Sequence, residues 1–287
     1  MGDSNSYILT ISCPDTVGIV AEVAGYLRDR EFFIQESSHY GDLETGRFFM
    51  RTRFVPQSGR YEADQYSAGF KEIADRFDME WAVFDTSILP RVLIMVSSVD
   101  HCLNDLLYRY RTSSLRIAIA GIVSNHTDLA RLAEWHNIPY YHLPTTQKTR
   151  EKAEQRLLGI VAETQSELVV LARYMQILSD KLCTKLAGRI INIHHSFLPG
   201  FEGAKPYHQA HKRGVKLIGA TAHYVTPDLD KGPIIEQTVE RIDHTHSTED
   251  MVAIGRDVEA ITLARAVRFH TERRVFLNGK RTVVFRR

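Results

Sequence analysis

The chain has 287 residues, 44% hydrophobic and 25% charged, with a formal net charge of +1; this excludes a disordered or fibrous polymer and leaves room for two domains. No block of like charge offers a surface for nucleic acid or anionic membrane, and no window approaches the ~20 apolar residues that span a bilayer. Cys13, Cys102 and Cys183 are odd in number and widely spaced, so neither a disulfide framework nor a thiolate metal site is signalled; with no basic-then-apolar leader, the expected compartment is the reducing cytoplasm.

Tyr7–Cys13 is a β-prone run ending at Pro14-Asp15, and Val20, Val23, Ala24 and Leu27 then fall at helical spacing. Phe32–His39 and Arg47–Phe54 read as a strand pair around the Gly41–Gly46 turn. Phe70, Ile73, Ala74 and Phe77 repeat the helical spacing before Met79–Phe84 alternates again. The order is βαββαβ, a ferredoxin-like domain over residues 1–85. Its unpaired strand edges favour a homodimer or homotetramer. Residues 86–90 read as a linker, since alternation stops and Pro90 precedes a new buried run.

From residue 91 to 287 strands and helices alternate. Val92–Val96, Arg116–Val123, a short strand near Tyr140, Leu168–Ala172 and Ile190–Ile193 are strands. Leu103–Tyr110, Asp128–His136 and Arg150–Thr164 are helices. Such alternation predicts a parallel, doubly wound Rossmann-like sheet with its ligand crevice at the carboxyl ends of the strands. Leu217–Val225 and Ile234–Ile242 flank the Thr226–Pro233 loop, a long helix covers Thr248–Arg273, and Val275–Leu277 with Thr282–Phe285 form a hairpin about Asn278-Gly279.

Asn192 and His194 lie two apart at the end of the Ile190–Ile193 strand and so face one side. An amide N–H and a protonated imidazole can both donate to an oxygen that gains charge in acyl transfer. Asp230, in Leu229-Asp230-Lys231-Gly232-Pro233, would hold His194 in its charged form and could take a proton from water. His195 is read as packing on Phe197, and Cys102 as a buried thiol at a helix start.

The Cys13-Pro14-Asp15-Thr16-Val17-Gly18 turn resembles the ligand loop of the ACT regulatory domain. That resemblance implies an amino-acid effector, methionine or glycine, held near Asp15 and Gly18; read from the residues alone, the turn is a plain loop-to-helix entry with Asp15 or Thr16 near the N-cap. Residues 168–236, with Tyr174-Met175-Gln176-Ile177-Leu178-Ser179, Asn192-x-His194 and Leu229-Asp230-x-Gly232-Pro233, resemble the folate-dependent formyltransferase catalytic domain. The resemblance implies 10-formyltetrahydrofolate as substrate and Asn192, His194 and Asp230 as the catalytic trio. It places Met175, Gln176, Ile177, Leu178, Val225, Thr226 and Asp228 around the pterin.

Where glycinamide ribonucleotide transformylase has a glycine-rich phosphate loop, this chain has Ser97-Ser98-Val99-Asp100-His101-Cys102, in which no glycine lets backbone wrap a phosphate. The ACT-like turn together with His194-His195-Ser196-Phe197-Leu198-Pro199, Gly203-Ala204-Lys205-Pro206-Tyr207 and Gly219-Ala220-Thr221-Ala222-His223-Tyr224 resembles the formyltetrahydrofolate deformylase family over nearly the whole chain. Water is then the acceptor, with Asp100, His101 and Cys102 filling the amine's place, and the hydrolysis supplies formate for purine synthesis and restores free folate. Neither metal nor cofactor is implied. The alternatives are formyl transfer to a small amine, a zinc hydrolase drawing on His194, His195, His208, His211 and His223, and a non-catalytic amino-acid-sensing folate-binding protein.

Overall fold

A computed structural model describes residues 6–57, 63–196 and 206–286; Phe197–Lys205, the remainder of the His-His-Ser-Phe-Leu-Pro motif and the Gly203–Lys205 stretch, lies outside them. Among the described residues, no helix is long and apolar enough to cross a membrane. The chain divides into two units, Met1–Leu89 with Glu272–Arg287, and Pro90–Thr271.

In the first unit the elements are β1 (Tyr7–Pro14), α1 (Ile19–Asp29), β2 (Phe32–Asp42), β3 (Arg47–Pro56), α2 (Ala63–Arg76) and β4 (Glu80–Asp85). The strands form one antiparallel sheet in the order β2-β3-β1-β4. β1 is central, and its alternation puts Leu9, Ile11 and Cys13 into a core shared with Val23 and Leu27 of α1 and Phe70 and Ala74 of α2. The N-cap of α1 is Gly18, at φ 100 with no side-chain cap; Asp15 and Thr16 lie just before it in the chain. Its left-handed backbone turns the chain so that its carbonyl accepts the Glu22 N–H at 3.0 Å, a conformation a side chain at this position would strain.

The expected boundary at the C-terminus is corrected: the segment that begins at Glu272 belongs to the first unit. The hairpin β12 (Val275–Asn278) and β13 (Arg281–Val284) is formed as read, with Gly279 at φ 62. It belongs here because Arg51, only 2% exposed, needs partners. Its Nε donates to the Glu272 carbonyl at 3.0 Å, and its Nη1 lies 3.0 Å from Glu36 Oε1, which Arg274 also reaches at 2.9 Å. Phe276 packs on Phe49, and Asn278 Nδ2 donates to Asp42 at 2.6 Å. A buried guanidinium without these oxygens would be strongly destabilising.

The second unit contains β5 (Arg91–Val96), α3 (His101–Arg111), β6 (Ala118–Ser124), α4 (Ala130–Trp135), β7 (Tyr140–His142), α5 (Arg150–Glu163), β8 (Leu168–Leu171), α6 (Asp180–Lys185), β9 (Ile190–His194), α7 (Pro206–Arg213), β10 (Leu217–Tyr224), β11 (Ile234–Arg241) and α8 (Thr248–Thr271). Its sheet order is β11-β10-β9-β8-β5-β6-β7. β5 to β9 are parallel, whereas β10 and β11 run antiparallel, so the sheet is mixed rather than wholly parallel. The short, non-helical route from β10 to β11 permits only a hairpin. The short helix α6 escapes the periodicity reading; Ser179 caps it by accepting the Leu182 N–H at 3.2 Å.

β5 and β8 are neighbours although the chain leaves β5 towards β6 on its other side, which makes the β5–β8 boundary the switch point of the sheet. The backbones that emerge there are tied together. Ser97 N–H donates to the Arg173 carbonyl at 3.2 Å, and Met175 N–H donates to Ser97 Oγ at 3.0 Å.

Candidate active site

β9 alternates, with Ile191 and Ile193 buried and Asn192 and His194 partly open. Its antiparallel neighbour β10 places His223 directly opposite Asn192 and Thr221 opposite His194. The chain then leaves β10 through Val225 and returns at Ile234 past Gly232, where an added Cβ would lie 1.7 Å from the Tyr224 carbonyl oxygen. This close approach turns the loop back over β9 and β10, with Asp230 held at φ 55.

The three expected groups therefore converge. His194 Nδ1 lies 3.2 Å from Asp230 Oδ2, and Asp230 Oδ1 is 3.6 Å from His223 Nε2. Asn192 Nδ2 is 3.3 Å from His223 Nε2. His223 Nδ1 lies 2.9 Å from the Tyr224 carbonyl, which can only accept, so Nδ1 carries a proton. Hydrogen bonds from His194 and His223 hold the Asp230 carboxyl well below the usual carboxylate range. His194 Nε2 has no hydrogen-bond partner among the described residues.

These groups line a cleft of about 270 Å³ at the carboxyl ends of β8 and β9. Met175, Gln176, Ile177 and Leu178 form part of its wall, and Val225, Thr226 and Leu229 another. Met175, Ile177 and Leu229 are 57%, 61% and 60% exposed, an apolar rim suited to a flat aromatic ligand. Asp228 does not line the cleft; its carbonyl accepts from the Thr226 hydroxyl at 3.1 Å and so braces the loop.

Asp100, His101 and Cys102 do not line it either. Asp100 is exposed at the start of α3 and accepts from Asn104 at 2.8 Å. His101 Nε2 lies 2.9 Å from Oε2 of Glu259, a carboxylate of α8 that is 2% exposed. Glu259 also accepts from the Tyr207 hydroxyl at 2.9 Å and pairs with Arg173 Nε at 3.4 Å. Ligand atoms of His101, Cys102 and Glu259 lie within 4.8 Å of one another, but the set fits a cation poorly. The Glu259 oxygens already face Arg173, His101 and Tyr207, and the Arg173 guanidinium supplies the positive charge that a cation would bring.

His195 is a cleft residue. Its ring stacks on His194, centroids 5.1 Å apart, and Arg173 Nη1 reaches its Nδ1 at 2.7 Å. Sequence reasoning gave His223 only as a possible metal ligand and missed Arg173 and Glu259. One signal was available for Glu259, the one charged residue in the otherwise uncharged Val258–Leu263 stretch of a helix. In the first unit, Asp15 N–H donates to the Gly46 carbonyl at 2.8 Å, and an added Cβ at Gly41 would meet Asp15 Oδ2 at 2.3 Å. Asp15 is thereby placed beside the β2–β3 turn, one turn of chain from Gly18.

Residues 90–267 match the family described as formyl transferase. The chain is 49% identical to a formyltetrahydrofolate deformylase of a Corynebacterium species over 100% of both chains. A crystal structure of the Burkholderia mallei formyltetrahydrofolate deformylase superposes with a TM-score of 0.94 at 54% identity, covering 98% of this chain and 99% of that one. The glycinamide ribonucleotide transformylase 1 of Symbiobacterium toebii superposes with a TM-score of 0.64 at 27% identity, covering 70% of this chain and 97% of that one.

Proposed function

This chain belongs to the formyltetrahydrofolate deformylase family, and we propose that it hydrolyses 10-formyltetrahydrofolate to formate and tetrahydrofolate through Asn192, His194 and Asp230. The observation that carries the reading is the Asp230–His194 pair at 3.2 Å beside Asn192 in an open cleft. The water oxygen bonds to the formyl carbon, the C=O π pair moves onto oxygen, and Asp230 accepts one water proton. Asn192 Nδ2–H and a proton on His194 Nε2 donate to the oxyanion. The C–N10 bond then breaks, its electron pair staying on N10, which takes the proton from Asp230; formic acid ionises to formate.

A carboxylate held so far below its ordinary value is a weak base that passes its proton on readily. Its larger contribution is to orient His194 with Nδ1–H towards it. Met175, Gln176, Ile177, Leu178, Val225 and Thr226 hold the pterin, with Asp228 acting through the loop. No cofactor or metal ion is proposed, since ring nitrogens of His194 and His223 already face Asp230. Incubation with 10-formyltetrahydrofolate and no added amine is expected to yield one formate per tetrahydrofolate. Tetrahydrofolate without formate would instead mean transfer to another acceptor.

The β2-β3-β1-β4 sheet and the Gly18 turn support reading the first unit as an ACT-type regulatory domain. Its effector would be an amino acid, methionine or glycine, near Asp15 and Gly18, and copies would pair through edge strands as a homodimer or homotetramer. Calorimetric titration should give saturable heat with one of the two; heat from neither removes the assignment.

A further inference from the structure

A guanidinium has donors and no acceptor. The 2.7 Å contact from Arg173 Nη1 therefore requires a lone pair on His195 Nδ1, and the ring is neutral with its proton on Nε2. Arg173 has anchors of its own. Its backbone sits at φ 64 with its carbonyl tied to Ser97 N–H, and its Nε faces the buried Glu259 at 3.4 Å. The charged and titratable groups that act on the ring are Arg173 and His194, which disfavour its charged form, and Glu259 and Asp230, which favour it. Burial first, then Arg173, push His195 down to about 4. Among the described residues Nε2 has no hydrogen-bond partner, although His195 lines the cleft.

Resting on the hydrolytic reading above, we propose that His195 is a further catalytic residue whose fixed Nε2–H donates to the attacking water and so selects water over amines, with Arg173 and Glu259 as its positioning residues. A water molecule has two lone pairs: one attacks the formyl carbon while the other accepts from Nε2–H. An amine has a single lone pair, spent on the attack, and its N–H groups would meet the ring N–H head on. A donor that can neither flip its tautomer nor lose its proton thus favours one nucleophile and opposes the other.

The test has a spectroscopic arm that does not depend on turnover. In 15N NMR of the intact protein at pH 7, His195 should show a protonated Nε2 and a bare Nδ1; a proton on Nδ1 overturns the proposal. His195→Leu should lower kcat about 100-fold with KM changed less than about threefold, whereas His195→Gln, whose amide N–H falls near Nε2, should recover about tenfold. With glycinamide added, the Leu variant should pass a larger share of formyl groups to the amine than wild type. Equal rates in the two variants, or an unchanged amine share, would refute the role. Arg173→Met frees Nδ1 and removes a cation from beside the ring, so the acid limb that His195 contributes to the rate profile should move up from about 4 towards the ordinary imidazole value, stopping short of it because the burial remains. An identical profile removes Arg173 as the lock. Absence of formate from wild type would strike the hydrolytic reading while leaving the tautomer result standing.

Discussion

Asp230→Asn is expected to slow formate release by about 100- to 10,000-fold while folate binding is largely retained. Asparagine is the informative replacement because Asp230 has φ 55, a left-handed conformation that asparagine tolerates and alanine resists. The backbone is thus kept, and only the charge that faces His194 at 3.2 Å and His223 at 3.6 Å is lost. The same variant tests the electrostatics. The folded-state value of Asp230 is depressed, so its stabilising effect is complete above its ordinary value of 3.8 and fades as pH falls through and below it. Urea denaturation should show a stability deficit for the variant that is constant near neutrality and shrinks in acid. A wild-type rate in the variant would remove Asp230 from the chemistry.

Gly232→Ala should be nearly as damaging without touching a reacting group. Its Cβ would stand 1.7 Å from the Tyr224 carbonyl oxygen, a backbone atom with no freedom to rotate away, and 3.3 Å from His223 Nδ1. That carbonyl is the acceptor that fixes the His223 tautomer, and the Tyr224 N–H donates to the Pro233 carbonyl at 2.9 Å. Relief of the clash must part these bonds and carry Asp230, two residues away, off the His194 ring. A displacement of about 1 Å costs on the order of 100-fold in rate. The overpacking itself should cost about 1–3 kcal/mol of stability. Thermal unfolding and formate release measured together check this; a wild-type rate with an intact fold would show that the loop does not position the carboxylate.

Several features were legible in the sequence because they are local. Period-two and period-3.6 spacing gave the βαββαβ order of the first unit and most elements of the second, and Asn192 and His194 share a face because a strand repeats every two residues. The Leu-Asp-x-Gly-Pro segment marked Asp230. Pattern could not show that β10 runs antiparallel beside β9, since direction comes from how a strand is approached in space. That pairing is what sets His223 against Asn192. Nor could it show that the last residues return to the first unit, because the need arises in the buried guanidinium of Arg51, far away in the chain.

The sequence by itself determined which residues form strands and helices and which chemical groups are available, since backbone preference and side-chain identity are properties of short stretches. Only the tertiary structure decided which of those groups meet. Arg173, His195 and Glu259 come from a strand end, a loop and a helix widely separated along the chain. The proton position on His195 follows from that meeting, because a hydrogen bond depends on distance in space rather than separation in sequence.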